Sequence, residues 1–251
     1  MTTFAGGEDL SGAVFVDADL RGAKFVESDL SRVVIRGCDV GGMEVDAPWL
    51  RFGEPMIVNG VDIGPFVETE LNRRFPGREE QTAESPEALV EAWAKLETAW
   101  SAAVERARTM PPGAVDETVA GEWSFAQTLR HLVYATDKWL PGGALQSGKD
   151  PHPLGLNHAA VDVSAPPSFE EVLSVRADRQ AQVRAFLAAA TIRLLDEECP
   201  SPNDSSQPET VRRCVQVILE EEWEHLRFAT RDLDALDAGA CESGEPPPRR
   251  R

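Results

Sequence analysis

The chain has few basic residues: Lys and Arg number 25 against 43 Asp and Glu, for a formal net charge of −18. A protein that grips a nucleic-acid backbone needs a cationic surface to displace phosphate counterions. The balance therefore argues against a nucleic-acid partner, and the basic PPPRRR end is too short to alter it. Long hydrophobic runs are also missing. No stretch approaches the ~20 apolar residues of a membrane span, and MTTFAGGEDL carries acids where a signal peptide has a basic and then an apolar region. The expectation is a cytoplasmic protein with no membrane partner. Cysteines are sparse: Cys38, Cys199, Cys214 and Cys241 are scattered with no C-x-x-C pair, which speaks against a disulfide framework or zinc ribbon and predicts buried free thiols. No P-loop, G-x-G-x-x-G or G-x-S-x-G elbow is present. What remains is 251 residues, 42% hydrophobic and 27% charged, enough for one large domain or two small ones with a sizeable core.

From residue 8 the chain repeats every five residues: EDLSG, AVFVD, ADLRG, AKFVE, SDLSR, VVIRG, CDVGG, MEVDA. Leu10, Phe15, Leu20, Phe25, Leu30, Ile35, Val40 and Val45 hold one phase, and Ala13, Ala18, Ala23, Ser28, Val33 and Cys38 hold the position two residues earlier. Neither a helix nor a flat strand has that period. The pattern resembles the pentapeptide-repeat family, which implies a right-handed four-sided β-helix with the central and small residues stacked inside. At four pentapeptides per coil, only about two coils are present. Stacked repeats gain stability mainly from their neighbours, so a stack this short is expected to lean on the next segment of the chain.

Residues 48–83 mix Pro and Gly with a short strand-like piece and one short helix, PFVETELNRRF, and are expected to act as a connector. From 84 to 237 the period becomes 3.6. SPEALVEAWAKLETAWSAAVERART (85–109) opens with Ser-Pro and sets Leu89, Trp93, Leu96, Trp100 and Val104 on one face. EWSFAQTLRHLVYATDKWL (122–140) carries Phe125, Leu129, Leu132 and Ala135 on one face. SFEEVLSVRADRQAQVRAFLAAAT (168–191) opens with a Ser-x-x-Glu capping box, and ETVRRCVQVILEEEWEHLRFATRDLDAL (209–236) is the last helix. Four amphipathic helices with two long connections predict a mainly α protein built on a four-helix bundle. Trp93, Trp100, Trp123, Trp139 and Trp223 read as core anchors, and 238–251 as a disordered tail.

The chain has four histidines. On the last helix the inward stripe runs Val215, Ile218, Glu222, His225, Ala229, Leu233, so an acid and an imidazole occupy positions where apolar residues are expected. Glu221 lies beside the same stripe, four residues before His225. His131 sits among Leu129, Leu132 and Tyr134 and also tends inward. Polar groups in a bundle interior are costly unless paired or bound to a metal. A His, His, Glu set suits divalent zinc, nickel or iron, with either Glu221 or Glu222 as the third ligand, and a metal-free buried polar network is the alternative. His152 and His158 lie in the long Gly/Pro-rich loop that comes after the helix holding His131, where either could roof a pocket or act as an acid or base.

EWSFAQTLRHLVYATDKWL, DPHPLGL and EEEWEHLRFATRDLDAL together resemble the DinB-like (DinB/YfiT) superfamily of four-helix bundles, over roughly 84–237. Many members carry a divalent metal on three histidines, one from the second helix and an H-x-x-x-H pair from the last. Carried over, those positions are His131, Glu221 and His225, with a carboxylate replacing the first histidine of the pair. The resemblance further implies a thiol-dependent transferase or isomerase, in which a small thiol would attack a small electrophile. The competing reading is a non-catalytic interaction protein that presents its acidic surface and repeat face, with the histidines structural. A homodimer is compatible with both.

Overall fold

The structure, a computed structural model, describes residues 4, 9–26, 28–48, 50–157 and 166–239. The tail expected to be disordered lies outside the described residues from 240 onward, as do His158 and Cys241. The chain divides into two compact units, Met1–Asp46 and Ala47–Arg251.

In the first unit the backbone turns every five residues. Gly12, Asp17, Gly22, Arg32, Gly37 and Gly42 all have φ between +51° and +78°. Beneath that period lies a ten-residue one. Asp9, Asp19, Asp29 and Asp39 each accept a hydrogen bond from the backbone N–H two residues ahead, at 2.8 to 3.1 Å. At the same four corners, Ala13, Ala23, Val33 and Met43 donate their N–H to the carbonyls of Leu10, Leu20, Leu30 and Val40. An Asp one place before the central residue closes an Asx turn through its side chain, and it occurs in every second pentapeptide. The central residues expected to stack inside stay about half-exposed, from 46% at Leu30 to 62% at Phe25, and no strand is formed among the described residues of this unit. Cys38, expected to be buried, is exposed as well. A coil interior is covered only by coils above and below it, and two coils supply one such interface.

The second unit is mainly helical. Strands β1 (Ile57–Val58) and β2 (Val61–Asp62) form a small hairpin ahead of α1 (Gly64–Arg74). The long helices are α2 (Pro86–Thr109), α3 (Phe125–Asp137), α4 (Phe169–Ala189) and α6 (Val211–Asp237). Between α4 and α6 come the one-turn helix α5 (Ile192–Leu195) and a hairpin of β3 (Glu198–Pro200) and β4 (Pro208–Thr210), neither of which the hydrophobic pattern announced. α2 and α3 each pack against both α4 and α6.

Each long helix starts where a side chain can satisfy its first N–H groups. Ser85, Ser124, Ser168 and Thr210 accept from the third residue beyond, and Ser124/Gln127 and Ser168/Glu171 are complete capping boxes. The expected helix over 122–140 is shorter at both ends. It begins after Ser124 and passes at Lys138 into a wider π-type coil running to Ala144, where Pro141 cannot donate into an α ladder. The expected stripe on α6 is buried at every position from Val215 to Leu233.

α3 departs from its expected amphipathic character. Thr128, Arg130, His131, Thr136 and Asp137 are buried along with its apolar residues, because the loop over 152–156 packs on the helix in addition to α4 and α6. The connector is held to α6 by ions. Arg78, 2% exposed, bonds Glu68 at 2.9 and 3.1 Å, Asn72 at 2.9 Å and Glu224 of α6 at 3.1 Å. Gly77 makes this approach with φ +98°, and a Cβ there would stand 3.2 Å from Lys95.

Candidate metal centre

The Ser124 cap sets the phase of α3 so that His131, two turns on, faces α6. The Thr210 cap does the same for Glu221 and His225, which are four apart and share a face. These three residues converge, with one ligand atom from each lying within 4.8 Å of the others. The imidazole rings of His131 and His225 stack with centroids 4.7 Å apart. Both histidines are buried, while the Glu221 side chain keeps 32% of its surface and marks the open side of the cluster.

The hydrogen bonds settle the tautomers. His131 Nδ1 lies 3.0 Å from the carbonyl oxygen of Leu156, and His225 Nδ1 lies 2.8 Å from the carbonyl of Glu221. A carbonyl only accepts, so each Nδ1 carries the proton and donates, leaving Nε2 as the lone-pair nitrogen of the neutral ring. His131 Nε2 then faces Glu221 Oε2 at 3.4 Å. Two acceptors face each other there, an arrangement that a cation between them, a proton or a metal ion, turns from repulsive to attractive. Backbone carbonyls that fix the outer ring nitrogen are the usual second-sphere support for metal-binding histidines. Ligand atoms around one zinc-like ion stand about 3.0 to 3.4 Å apart, so the donor set fits such an ion after a contraction of roughly 1.5 Å at its widest separation, within the reach of side-chain rotation.

The loop expected to hold acid–base histidines has a different task. His152 donates its backbone N–H to Asp137 at 2.8 Å, accepts the N–H of Leu154 on its Nδ1 at 3.1 Å, and accepts Gly155 N–H on its carbonyl at 2.8 Å. Asp137 is held in turn by Arg179 at 2.5 and 3.1 Å. Arg130 Nε donates to Leu154 O, and Leu156 N–H to Arg130 O, which brings the Leu156 carbonyl to His131. Gly155 allows the approach, since a Cβ would stand 3.2 Å from that of Tyr134. His152 thus shapes the loop that orients His131, and the structure does not bring it into the cluster.

Glu222, the other candidate third ligand, turns to a different partner. It is 1% exposed and ion-paired with buried Arg176 of α4. Burial pushes its carboxyl up from the ordinary range, against the opposing pull of Arg176. Among the described residues, Glu222 Oε1 and Arg176 Nε and Nη1 are buried without hydrogen-bond partners. A cleft of about 420 Å³ opens beside this pair, lined in part by Trp100, Leu129, Leu173 and Arg176, and it includes none of the three clustered residues.

Sequence profiles place these residues in a family. The DinB superfamily matches residues 95–229, and pentapeptide repeats match in eight copies over 8–42. The chain belongs to the DinB superfamily. No curated protein and no solved structure matches it. The DinB region contains His131, Glu221 and His225 as well as Arg176 and Glu222.

The sequence reading missed Trp123. Read as a core anchor, it is half-buried and lies against the cluster, its ring 4.8 Å from that of His131 and 6.3 Å from that of His225. Its place just before the Ser124 cap was the available signal, because a residue there precedes the helix and sits at its mouth. Phe228, one turn after His225, meets that ring edge-on at 5.9 Å.

Proposed function

We propose that the four long helices form a DinB-type four-helix bundle holding one divalent metal ion, zinc, nickel or iron, on His131, Glu221 and His225, and that the protein acts as a thiol-dependent transferase or isomerase on a small electrophile. One observation carries this reading: both imidazoles have Nδ1 committed to backbone carbonyls, and the His131 Nε2 lone pair is turned toward the carboxylate of a third ligand type. A divalent ion at that point would favour the thiolate form of a bound thiol, or activate a water.

The chain's own residues supply the rest. Leu156 O and Glu221 O hold the imidazole orientation, so that little reorganisation accompanies binding. Trp123 and Phe228 wall the cluster with apolar surface and restrict water, while half-exposed Glu221 leaves one side open to a small molecule. A cytoplasmic setting, rich in small thiols, suits this chemistry. The repeat unit is read as a short right-handed β-helix of pentapeptide repeats.

The test is metal analysis of protein purified without a polyhistidine tag and then incubated with zinc or nickel. Close to one ion per chain is expected, lost in His131→Ala and in His225→Ala. A sample that stays empty removes the metal site. If the nickel-loaded chain shows no sulfur-to-metal absorption band on adding a small thiol, the metal site stands and the thiol chemistry falls.

A further inference from the structure

Two side chains that the sequence keeps well apart meet elsewhere in the helical unit. Cys199 on β3 and Cys214 in the first turn of α6 are both buried free thiols, with Sγ atoms 3.5 Å apart. Their backbones are held close. Cys199 pairs with Glu209 in the β3–β4 hairpin, and Val211 N–H donates to Glu197 O at 2.9 Å. The π-type coil after α3 presses on the pair: a Cβ on Gly143 would stand 3.1 Å from Cys214 Sγ and 2.8 Å from Pro202 Cγ. A disulfide needs its sulfurs about 2.05 Å apart, so closure asks for a movement of roughly 1.5 Å, which rotation about the two Cα–Cβ bonds can supply.

We propose that Cys199 and Cys214 are a site of reversible oxidation, forming an intrachain disulfide that ties β3 to the first turn of α6. With hydrogen peroxide as oxidant, the sulfur of Cys199 attacks, the O–O bond breaks, one water leaves, and a sulfenic acid remains. Cys214 sulfur then attacks the sulfenic sulfur, the S–S bond forms, and the hydroxyl leaves as a second water with the Cys214 proton. Two thiols are oxidised and one peroxide is reduced to two waters. Cys199 is the first to react because it keeps 3% exposure where Cys214 has none. Burial also pushes the Cys214 thiol up, which disfavours it as the sulfur that attacks the peroxide. Access comes through the β3–β4 hairpin, whose strands are three residues each and whose connection, 201–207, is exposed over its last five residues. The bond would pin the start of the helix that carries Glu221 and His225, about two turns ahead of Glu221 and three ahead of His225.

The full chain carrying Cys38→Ser and Cys241→Ser isolates the pair. It is treated with hydrogen peroxide in native buffer, its remaining thiols are alkylated in denaturant, and its peptides are mapped. The expected result is a monomer with no alkylatable thiol and a reductant-sensitive link between the Cys199 and Cys214 peptides. Its thermal midpoint should be raised by on the order of 5 °C over the reduced form. Cys214→Ser in the same background should leave Cys199 unlinked. Two alkylatable thiols after treatment, Cys199 driven to sulfinic acid with Cys214 still free, or a cross-linked dimer would each overturn the proposal.

Discussion

The repeat unit and the helical unit are both strongly patterned, but the pattern does different physical work in each. In the repeat unit the period shapes the backbone: a left-handed corner every five residues and an Asp-closed turn every ten, with the apolar central residues still about half in solvent. In the helical unit the period shapes burial. Leu89, Leu129, Leu195, Leu219 and Trp223 are at most 1% exposed, and ionic groups are buried beside them. Local turn chemistry is enough to bend a chain, whereas hydrophobic stabilisation requires another surface to cover it.

The largest expected break in this contrast is at Glu222. Glu222→Ala leaves Arg176 charged, buried and unpaired, and should destabilise the helical unit by about 3 to 5 kcal/mol in chemical denaturation. Replacing both partners, Arg176→Met with Glu222→Leu, should recover most of that loss. If the single variant costs nothing, the pair is not buried as described. Next comes a matched leucine pair. Leu89→Ala, at a fully buried position, should cost about 2 to 5 kcal/mol, while Leu20→Ala, at 49% exposure, should leave the same unfolding midpoint nearly unchanged. Equal losses would show that the repeat unit has a core after all.

The smallest effect is a pH dependence confined to the repeat corners. The Asp19 carboxyl is lowered to about 2 by hydrogen bonds from the Arg21 side chain and then its backbone N–H, and Asp29 is lowered by Ser31. A carboxyl depressed by its folded partners adds stability that is present above its unfolded pKa and is lost as pH falls through the folded one. Amide NMR signals of Arg21 and Ser31 should therefore hold steady at neutral pH and shift between about pH 4 and 2. Asp19→Asn should remove the Arg21 part of that response. Amides that titrate together with the helical unit would contradict a local origin.

Much of the helical unit was legible because caps and apolar spacing are local signals. Ser85, Ser124, Ser168 and Thr210 start helices where a side-chain oxygen comes at the end of a connection, and the α6 stripe could be read through its two polar members, Glu222 and His225. The candidate site was legible as a set of residues. It was not legible as an arrangement: that His152 builds a loop, that Trp123 lies on the imidazoles, and that Glu222 turns to Arg176 all depend on partners 8 to 102 residues away. Cys199 and Cys214 are buried free thiols as expected, but their meeting was not legible for the same reason: they have no motif spacing and come together only across a hairpin.

By itself the sequence determined the five-residue corners, the helix starts and the inward face of α6, because each depends on backbone conformation and side-chain reach within a few residues. Only the tertiary structure decided which of two adjacent glutamates joins the histidines, which nitrogen of each ring carries its proton, and which cysteines touch. Those choices are set by distances and carbonyl directions between segments far apart along the chain, which no local period encodes.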